Sequence, residues 1–369
     1  MSIGYDDRRP MLRKVLIIGV LLLVVCAFSL CIDNYRGRIA SPLEVLECYG
    51  LWLNQAVTSI VSPGEVLSGT DILAINDSYF ELTNRAAVVA VTVLCGMLLA
   101  LSGSLYQIVF RNPIASPSML GVSSGVQLGV LTLVCVFGTA AATQGLWRYV
   151  LCYAFGLVML IVLFVLSKLI SGKGQPLNVV NMLVIGTLLS QLAGVVVTYV
   201  TWYYFDDELW FVYNSLSEVL VVDTSWYALV ILLVSAVVSL APIVLLRFRM
   251  NVLGFGESDM RMLGVSSHAL QLIALACGTV MMITSQVAVG TVAMMALVVP
   301  HVSRMIFGAE FRKQLVGNLL LGALLLVLCR TLLSFIPAIG AFLPMGTIAS
   351  FIVLPAFVWI LATQQRSWE

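Results

Sequence analysis

Ten apolar runs constrain this chain more than any other feature of its sequence. A helix that crosses a bilayer needs roughly 20 mainly apolar residues. The runs lie at residues 15–32, 86–108, 117–137, 148–169, 179–203, 226–246, 269–287, 289–306, 315–333 and 345–363. The chain is 61% hydrophobic and 10% charged, whereas soluble domains are about a quarter charged. We therefore predict an all-α polytopic membrane protein of about ten transmembrane helices, with residues 1–369 forming a single domain.

The basic residues predict the orientation of these helices. Cytoplasmic segments carry an excess of Lys and Arg, and a cytoplasmic N-terminus places fourteen basic residues inside and five outside. Both termini are then cytoplasmic, segments 33–83 and 204–224 are extracytoplasmic, and segment 247–268 is cytoplasmic. Each half of five helices starts on the opposite side of the membrane, which is typical of inverted repeats in transporters. The net charge of +1 gives no reason to expect a nucleic-acid partner.

The stretch RNPIASPSMLGVSSG, residues 111–125, places two prolines after the second apolar run. Pro113 ends a helix because it lacks an amide donor and clashes with the preceding turn. Ser116 followed by Pro117 is typical of a helix start with a side-chain cap, and Arg111 can reach the lipid headgroups. We therefore expect a helix end, a turn and a new helix. Irregular backbone at membrane depth is tolerated where it lines a cavity or is buried in protein.

Two of the predicted helices carry small residues at a spacing of four, which places these residues on one helix face. They are Gly121, Gly125 and Gly129 in the third run, and Gly186, Ser190 and Gly194 in the fifth. Such a face lets two helices approach closely within a membrane. In the fifth run the same residues could instead form a polar face that lines a path, and the sequence leaves both interpretations open.

The motifs that would supply energy or catalysis are missing from the sequence. It contains no G-x-x-x-x-G-K-[ST] phosphate loop, and no run holds the set of charges expected of an ion relay. The cysteines and the two histidines, His268 and His301, lack metal-ligand spacing, so we predict no metal site. GVSSG at 121–125 fits the serine-hydrolase pattern G-x-S-x-G, although it falls within a predicted helix. An ion-coupled secondary transporter and an intramembrane serine hydrolase are the alternatives to a transporter powered by another subunit.

Four ordered blocks resemble the permease subunits of ABC importers for iron-siderophores, haem and cobalamin, the FecCD type. The blocks are GSLYQIVFRNPIASPSMLGVSSG (103–125), GFGESDMRMLG (254–264), LVVPHVSRMIFG (297–308) and LPMGTIASFIVLPAFVWIL (343–361). The resemblance implies the ABC type II importer permease fold with inverted five-helix halves. It also implies transport of such a cargo across the bacterial cytoplasmic membrane by a subunit that is not itself an enzyme.

The resemblance further implies partners and site residues. A second copy of the permease, or a similar permease, encloses a central path in the lipid bilayer, and an extracytoplasmic solute-binding protein delivers the cargo. This chain binds no cofactor, because ATP and Mg bind on two partner ATP-binding subunits. The implied site residues are Gly256, Glu257, Ser258, Arg261, Leu263 and Gly264 for coupling to the ATPase, Asn112, Ile114, Val179 and Val180 for the inner gate, and Arg85 for docking of the binding protein. Arg85 is the one that remains of two arginines usual before the second helix of the family.

Overall fold

The structure, a computed structural model, describes residues 8–31, 69–113, 115–143, 145–171, 179–217, 226–254, 267–334 and 346–355. Within these ranges the chain is almost entirely helical and contains no strand. The helices are α1 (Arg8–Cys31), α2 (Gly69–Val109), α3 (Val122–Phe137), α4 (Gly145–Ser171), α5 (Val179–Tyr204), α6 (Asp207–Ser217), α7 (Trp226–Leu245), α8 (Ser267–Val289), α9 (Ala293–Phe307), α10 (Phe311–Ser334) and α11 (Gly346–Pro355).

Every predicted apolar run overlaps one of these helices. Among the described residues, eight helices are long and apolar enough to cross a bilayer, which makes the chain a multi-pass membrane protein. The apolar helices α9 and α11 are shorter as described, and the end of the last predicted run lies outside the described residues.

Two segments between the predicted apolar runs also contain helix. Helix α2 begins at Gly69, inside the segment 33–83, and α6 occupies part of the segment 204–224. Hydropathy detects the part of a helix that lies in lipid, whereas a polar or mixed helix has to be recognised by its caps. At the start of α6 the Asp206 carboxylate accepts a hydrogen bond from the Leu209 amide at 2.8 Å, which satisfies a free donor of the first turn.

Helix α2 forms the centre of the bundle. It contacts α8, α9 and α10, and residues 98–107 are buried without interruption, so neighbours surround the helix over nearly three turns. Glycines allow these helices to lie close together. A Cβ placed on Gly103 would lie 1.7 Å from the Ala296 carbonyl oxygen of α9. A second apolar cluster joins α3 and α4 to parts of α6 and α8.

Two helices bury little of their own surface against the rest of the bundle. Most side chains of α1 and α5 are exposed, and this is what lipid or a partner subunit would contact. Helix α1 packs along α10, and its Lys14 ammonium donates a hydrogen bond to the Ile306 carbonyl at 2.6 Å. This bond satisfies a free carbonyl at the end of α9, where a cation is also favoured by the helix dipole.

Candidate functional site

The prolyl stretch forms an irregular turn at the end of α2. The helix ends at Val109, and Arg111 then adopts a φ of 48°, in the left-handed region that residues with a side chain seldom enter. The Asn112 amide donates back to the Gln107 carbonyl at 3.1 Å, so the chain reverses directly after the helix. The predicted gate residue Asn112 lies in this turn, half-buried, whereas Ile114 lies outside the described residues.

The second half of the stretch starts α3 in two steps. Pro117 opens a 3-10 helix, Pro117–Leu120, after Ser116 in an extended conformation. The predicted side-chain cap was wrong, because the Ser116 hydroxyl shares a hydrogen bond of 2.8 Å with the Ser118 hydroxyl instead. Gly121 then adopts a φ of 84° and α3 begins at the next residue. A residue with a Cβ would be strained at Gly121, so this glycine is explained by its backbone as well as by packing.

Polar side chains tie this turn to its neighbours. The Gln107 amide donates to the Leu297 carbonyl of α9 at 2.9 Å, and the Arg304 guanidinium donates to the Gln107 side-chain oxygen. The Arg111 Nε donates to the Leu253 carbonyl at 3.1 Å. The sequence predicted only that Arg111 can reach the lipid headgroups. No role was predicted for Gln107 and Arg304, although a polar residue inside an apolar run is a signal of such a role.

A cavity of about 470 Å³ lies at the start of α11. It is next to the link between α8 and α9, where Gly290 has a φ of 82°. Its wall combines the hydroxyl residues Thr291, Thr347 and Ser350 with the apolar side chains of Phe351 and Leu354, and none of its described lining residues is charged. Its described lining residues other than Thr291 lie within the block at 343–361, in which the sequence predicted no path residue.

Helix α5, which contacts the 3-10 turn Pro117–Leu120, also has exposed apolar side chains. Val180, Leu188 and Val195 are each 65% exposed, so such side chains extend from its first turn to beyond its midpoint. The predicted gate residue Val180 is the first of these three. The side chain of Val179, its predicted companion, lies outside the part of the chain that the structure describes.

The predicted coupling residues Gly256, Glu257, Ser258, Arg261, Leu263 and Gly264 lie outside the described residues. The structure describes what flanks them: a 3-10 turn, Asn251–Gly254, on one side and α8 on the other. The predicted docking residue Arg85 lies within α2, half-buried.

The small residues of α3 lie against α4. A Cβ on Gly125 would lie 2.8 Å from the Cα of Gly156, and a Cβ on Gly129 would lie 2.8 Å from the Cα of Cys152. Real Cβ atoms do not approach backbone this closely, so the two helices can be in contact here only because these residues are glycines.

The small residues of α5 are divided between two environments. A Cβ on Gly186 would lie 2.7 Å from the Met119 carbonyl oxygen, so this glycine packs on the 3-10 turn before α3. The Ser190 hydroxyl donates to the Gly186 carbonyl of its own helix at 2.8 Å. A Cβ on Gly194 would meet nothing within 4 Å, so the described part of the chain provides no packing partner there.

The serine-hydrolase pattern lies in a helical context. Gly121 and Gly125 enclose the beginning of α3, where Ser123 is 8% exposed in the first turn. The nucleophile of that pattern sits on a strand-to-helix turn with its hydroxyl exposed. The described residues around Ser123 contain no strand, and the hydroxyl is buried, so the geometry gives this alternative no support.

A solved structure identifies the class of this fold. The chain superposes on an inward-facing conformation of a metal-chelate type ABC transporter with a TM-score of 0.72 and 20% sequence identity. The superposition covers 95% of this chain and 99% of that one. This chain therefore has the fold of that ABC transporter chain, in agreement with the predicted all-α fold.

The sequence comparisons then identify the family. Residues 48–363 match the FecCD transport family. The chain is 31% identical over 286 residues to the "Probable iron chelatin transport system permease protein" of Helicobacter pylori strain 26695, covering 77% of this chain and 82% of that protein. It is 30% identical over 295 residues to the hemin transport system permease protein of Yersinia pestis, covering 79% and 86%. The chain belongs to the FecCD transport family, and both relatives are permease components of transport systems.

Proposed function

We propose that this protein is the membrane-spanning subunit of an importer for an iron-siderophore, haem or cobalamin in the bacterial cytoplasmic membrane. The single observation that carries the proposal is the family match over residues 48–363. The sequence has no phosphate loop, so ATP and Mg bind on two partner ATP-binding subunits. Both termini are cytoplasmic in this proposal, as the distribution of basic residues favours.

A bulky cargo of this kind passes along a wide path between two permease copies. The cavity at the start of α11 supports this, since three hydroxyl groups on an apolar wall offer weak contacts to many polar surfaces without demanding a charge. The exposed face of α5 is where a second copy packs, because an apolar helix face with small residues suits close helix association.

Coupling to the ATPase is assigned to segment 256–264, which follows the inner turn Asn251–Gly254. The inner gate is assigned to Asn112 and Ile114 with the start of α5 at Val179 and Val180. An extracytoplasmic solute-binding protein delivers the cargo, and Arg85 contributes to its docking.

The test is uptake into proteoliposomes that contain this permease, its ATP-binding subunits and its solute-binding protein. We expect accumulation of a ferric siderophore, haem or cobalamin with ATP and none with ADP. The proposal fails if none of the three cargoes accumulates. Uptake that an ion gradient drives without the ATPase would instead support the secondary-transporter alternative.

A pair of variants tests the coupling assignment. Glu257→Gln should lower uptake about fivefold or more, as expected when a coupling free energy of at least 1 kcal/mol is lost. Glu310→Gln is the matched control, because this inner glutamate makes partly exposed ion pairs with Arg312 and Lys313 at 3.6 and 3.5 Å, and such pairs contribute little. Equal uptake by the two variants would contradict the assignment.

A further inference from the structure

The short turn Asn251–Gly254 is bonded to two other elements at the inner end of the bundle. Its Leu253 carbonyl accepts a hydrogen bond from the Arg111 Nε at 3.1 Å, and the Asn251 side-chain oxygen accepts one from the Phe311 amide at 2.7 Å. Leu253 and Phe311 are each 1% exposed. The turn is therefore joined to the segment after α2 and to the first residue of α10.

The bond from Phe311 stabilises the start of α10. The first amides of a helix have no partner within the helix and need an acceptor from elsewhere. In most helices the acceptor is the residue just before the first turn, whereas here Asn251 supplies it from a segment about sixty residues away. A displacement of the turn would therefore remove the cap or move the beginning of α10 with it.

The bond from Arg111 connects the turn to the prolyl stretch. Arg111 holds a φ of 48°, a left-handed conformation that is unfavourable for a residue with a Cβ. A basic residue that only anchors a helix end at the headgroups needs no such backbone. The next residue is Asn112, and the preceding turn of α2 carries Gln107, which accepts a hydrogen bond from Arg304 of α9. The hydrogen bond at Leu253 thus connects the turn to the segment after α2 and, through Gln107 and Arg304, to α9.

We propose that Arg111 and Asn251 are positioning residues that link the cytoplasmic loop to the prolyl stretch and to α10. This inference rests on the proposed function, in which ATPase movements enter the permease through the segment that follows Gly254. Movement of the turn is passed to Asn112 through Arg111 and to α10 through Asn251. Loss of either hydrogen bond then lowers the amount of cargo transported per ATP hydrolysed, while the permease still folds.

The functional test measures cargo transported per ATP hydrolysed in the reconstituted complex. Arg111→Lys keeps the charge but loses the planar guanidinium, and Asn251→Leu removes the acceptor. We expect both to lower the ratio about fivefold or more, with ATP hydrolysis retained. Asn251→Asp keeps a side-chain oxygen and should restore the ratio. Lys168→Gln, which changes another exposed basic residue at the inner end of α4, should behave as the wild type.

A second measurement does not depend on transport. Hydrogen exchange of the purified permease in detergent should become faster at residues 251–254 and 311–314 in Asn251→Leu but stay at the wild-type rate in Asn251→Asp and Lys168→Gln. Unchanged exchange in Asn251→Leu, or a wild-type transport ratio in Arg111→Lys, overturns the inference. If the wild-type complex moves no cargo, the proposed function fails, and faster exchange in Asn251→Leu alone still supports the link between the turn and α10.

Discussion

Helices α3 and α5 carry small residues at the same spacing but use them differently. In α3, Gly125 and Gly129 lie directly against the backbone of α4. In α5, Gly186 lies against the turn before α3, but Gly194 faces a space in which the described residues place nothing within 4 Å. The glycines of α3 are therefore covered by α4, whereas the small-residue face of α5 is covered at Gly186 and open at Gly194.

The difference shows which small residues have a packing partner within the described part of this chain and which do not. Without a hydrophobic drive between helices in lipid, association depends on close fit, and the fit of α3 is complete within the chain. The side chains of Val195, next to Gly194, and of Leu188, nearer the start of α5, are both exposed. In the proposed complex this is the surface that a second permease covers.

Gly125→Leu should have the largest effect on this comparison. The new side chain would start 2.8 Å from the Gly156 Cα, so α3 and α4 must separate, which should cost about 3 kcal/mol of unfolding free energy. Thermal or SDS unfolding in detergent micelles measures the loss. The matched variant Gly194→Leu should unfold like the wild type, and equal losses in both would refute the distinction between the two faces.

Gly186→Ala should have the next largest effect. Its Cβ would lie 2.7 Å from the Met119 carbonyl oxygen, which is backbone, so the 3-10 turn has to shift, at an expected cost of about 2 kcal/mol. The same unfolding assay applies. Ser190→Ala, one turn further along α5, removes only a hydroxyl that bonds within its own helix and should change little. A harmless Gly186→Ala would mean that α5 does not rest on the turn.

Gly121→Ala should be milder, because the strain lies in one backbone conformation. A φ of 84° costs a residue with a Cβ roughly 1–2 kcal/mol. The new Cβ would lie 3.3 Å from the Met159 methyl group, which can move. Gly121→Asn should unfold at a temperature between those of the wild type and Gly121→Ala, since asparagine tolerates this conformation better than alanine does. If alanine and asparagine were both neutral, a left-handed start of α3 would be excluded.

Gly194→Ala should have the smallest effect and the opposite sign. The added methyl group meets nothing within 4 Å, and alanine is favoured over glycine in a helix by up to about 1 kcal/mol, so the isolated permease should be slightly more stable. A larger side chain at the same position should leave the single chain stable while lowering the dimeric fraction by native mass spectrometry. A destabilised monomer would place a packing partner for Gly194 within this chain.

The apolar runs located the helices that cross the membrane but missed the helices outside them. Helix α6 was not among the predicted runs because its residues are mixed, and its start depends on the Asp206 cap, which hydropathy does not indicate. The early start of α2 at Gly69 was missed for the same reason. Length and hydropathy describe what a membrane requires, whereas a helix in water is decided by caps and neighbours.

The four sequence blocks predicted the family but only part of the local geometry. Pro113 predicted a break after α2, which the structure has, and Ser116 followed by Pro117 predicted a side-chain cap, which the structure does not have. The destination of Arg111 was also beyond sequence reasoning, because the Leu253 carbonyl that it meets lies more than a hundred residues away. A backbone acceptor leaves no mark in the amino-acid sequence.

The sequence by itself determined the class of this protein, because a run of about 20 apolar residues in lipid must satisfy its backbone hydrogen bonds internally and therefore forms a helix. The order of the four blocks determined the family. Only the tertiary structure decided that Gly129 meets α4 while Gly194 meets no described residue. The physical reason is that spacing along one helix specifies a face, whereas what lies opposite that face depends on how distant segments pack.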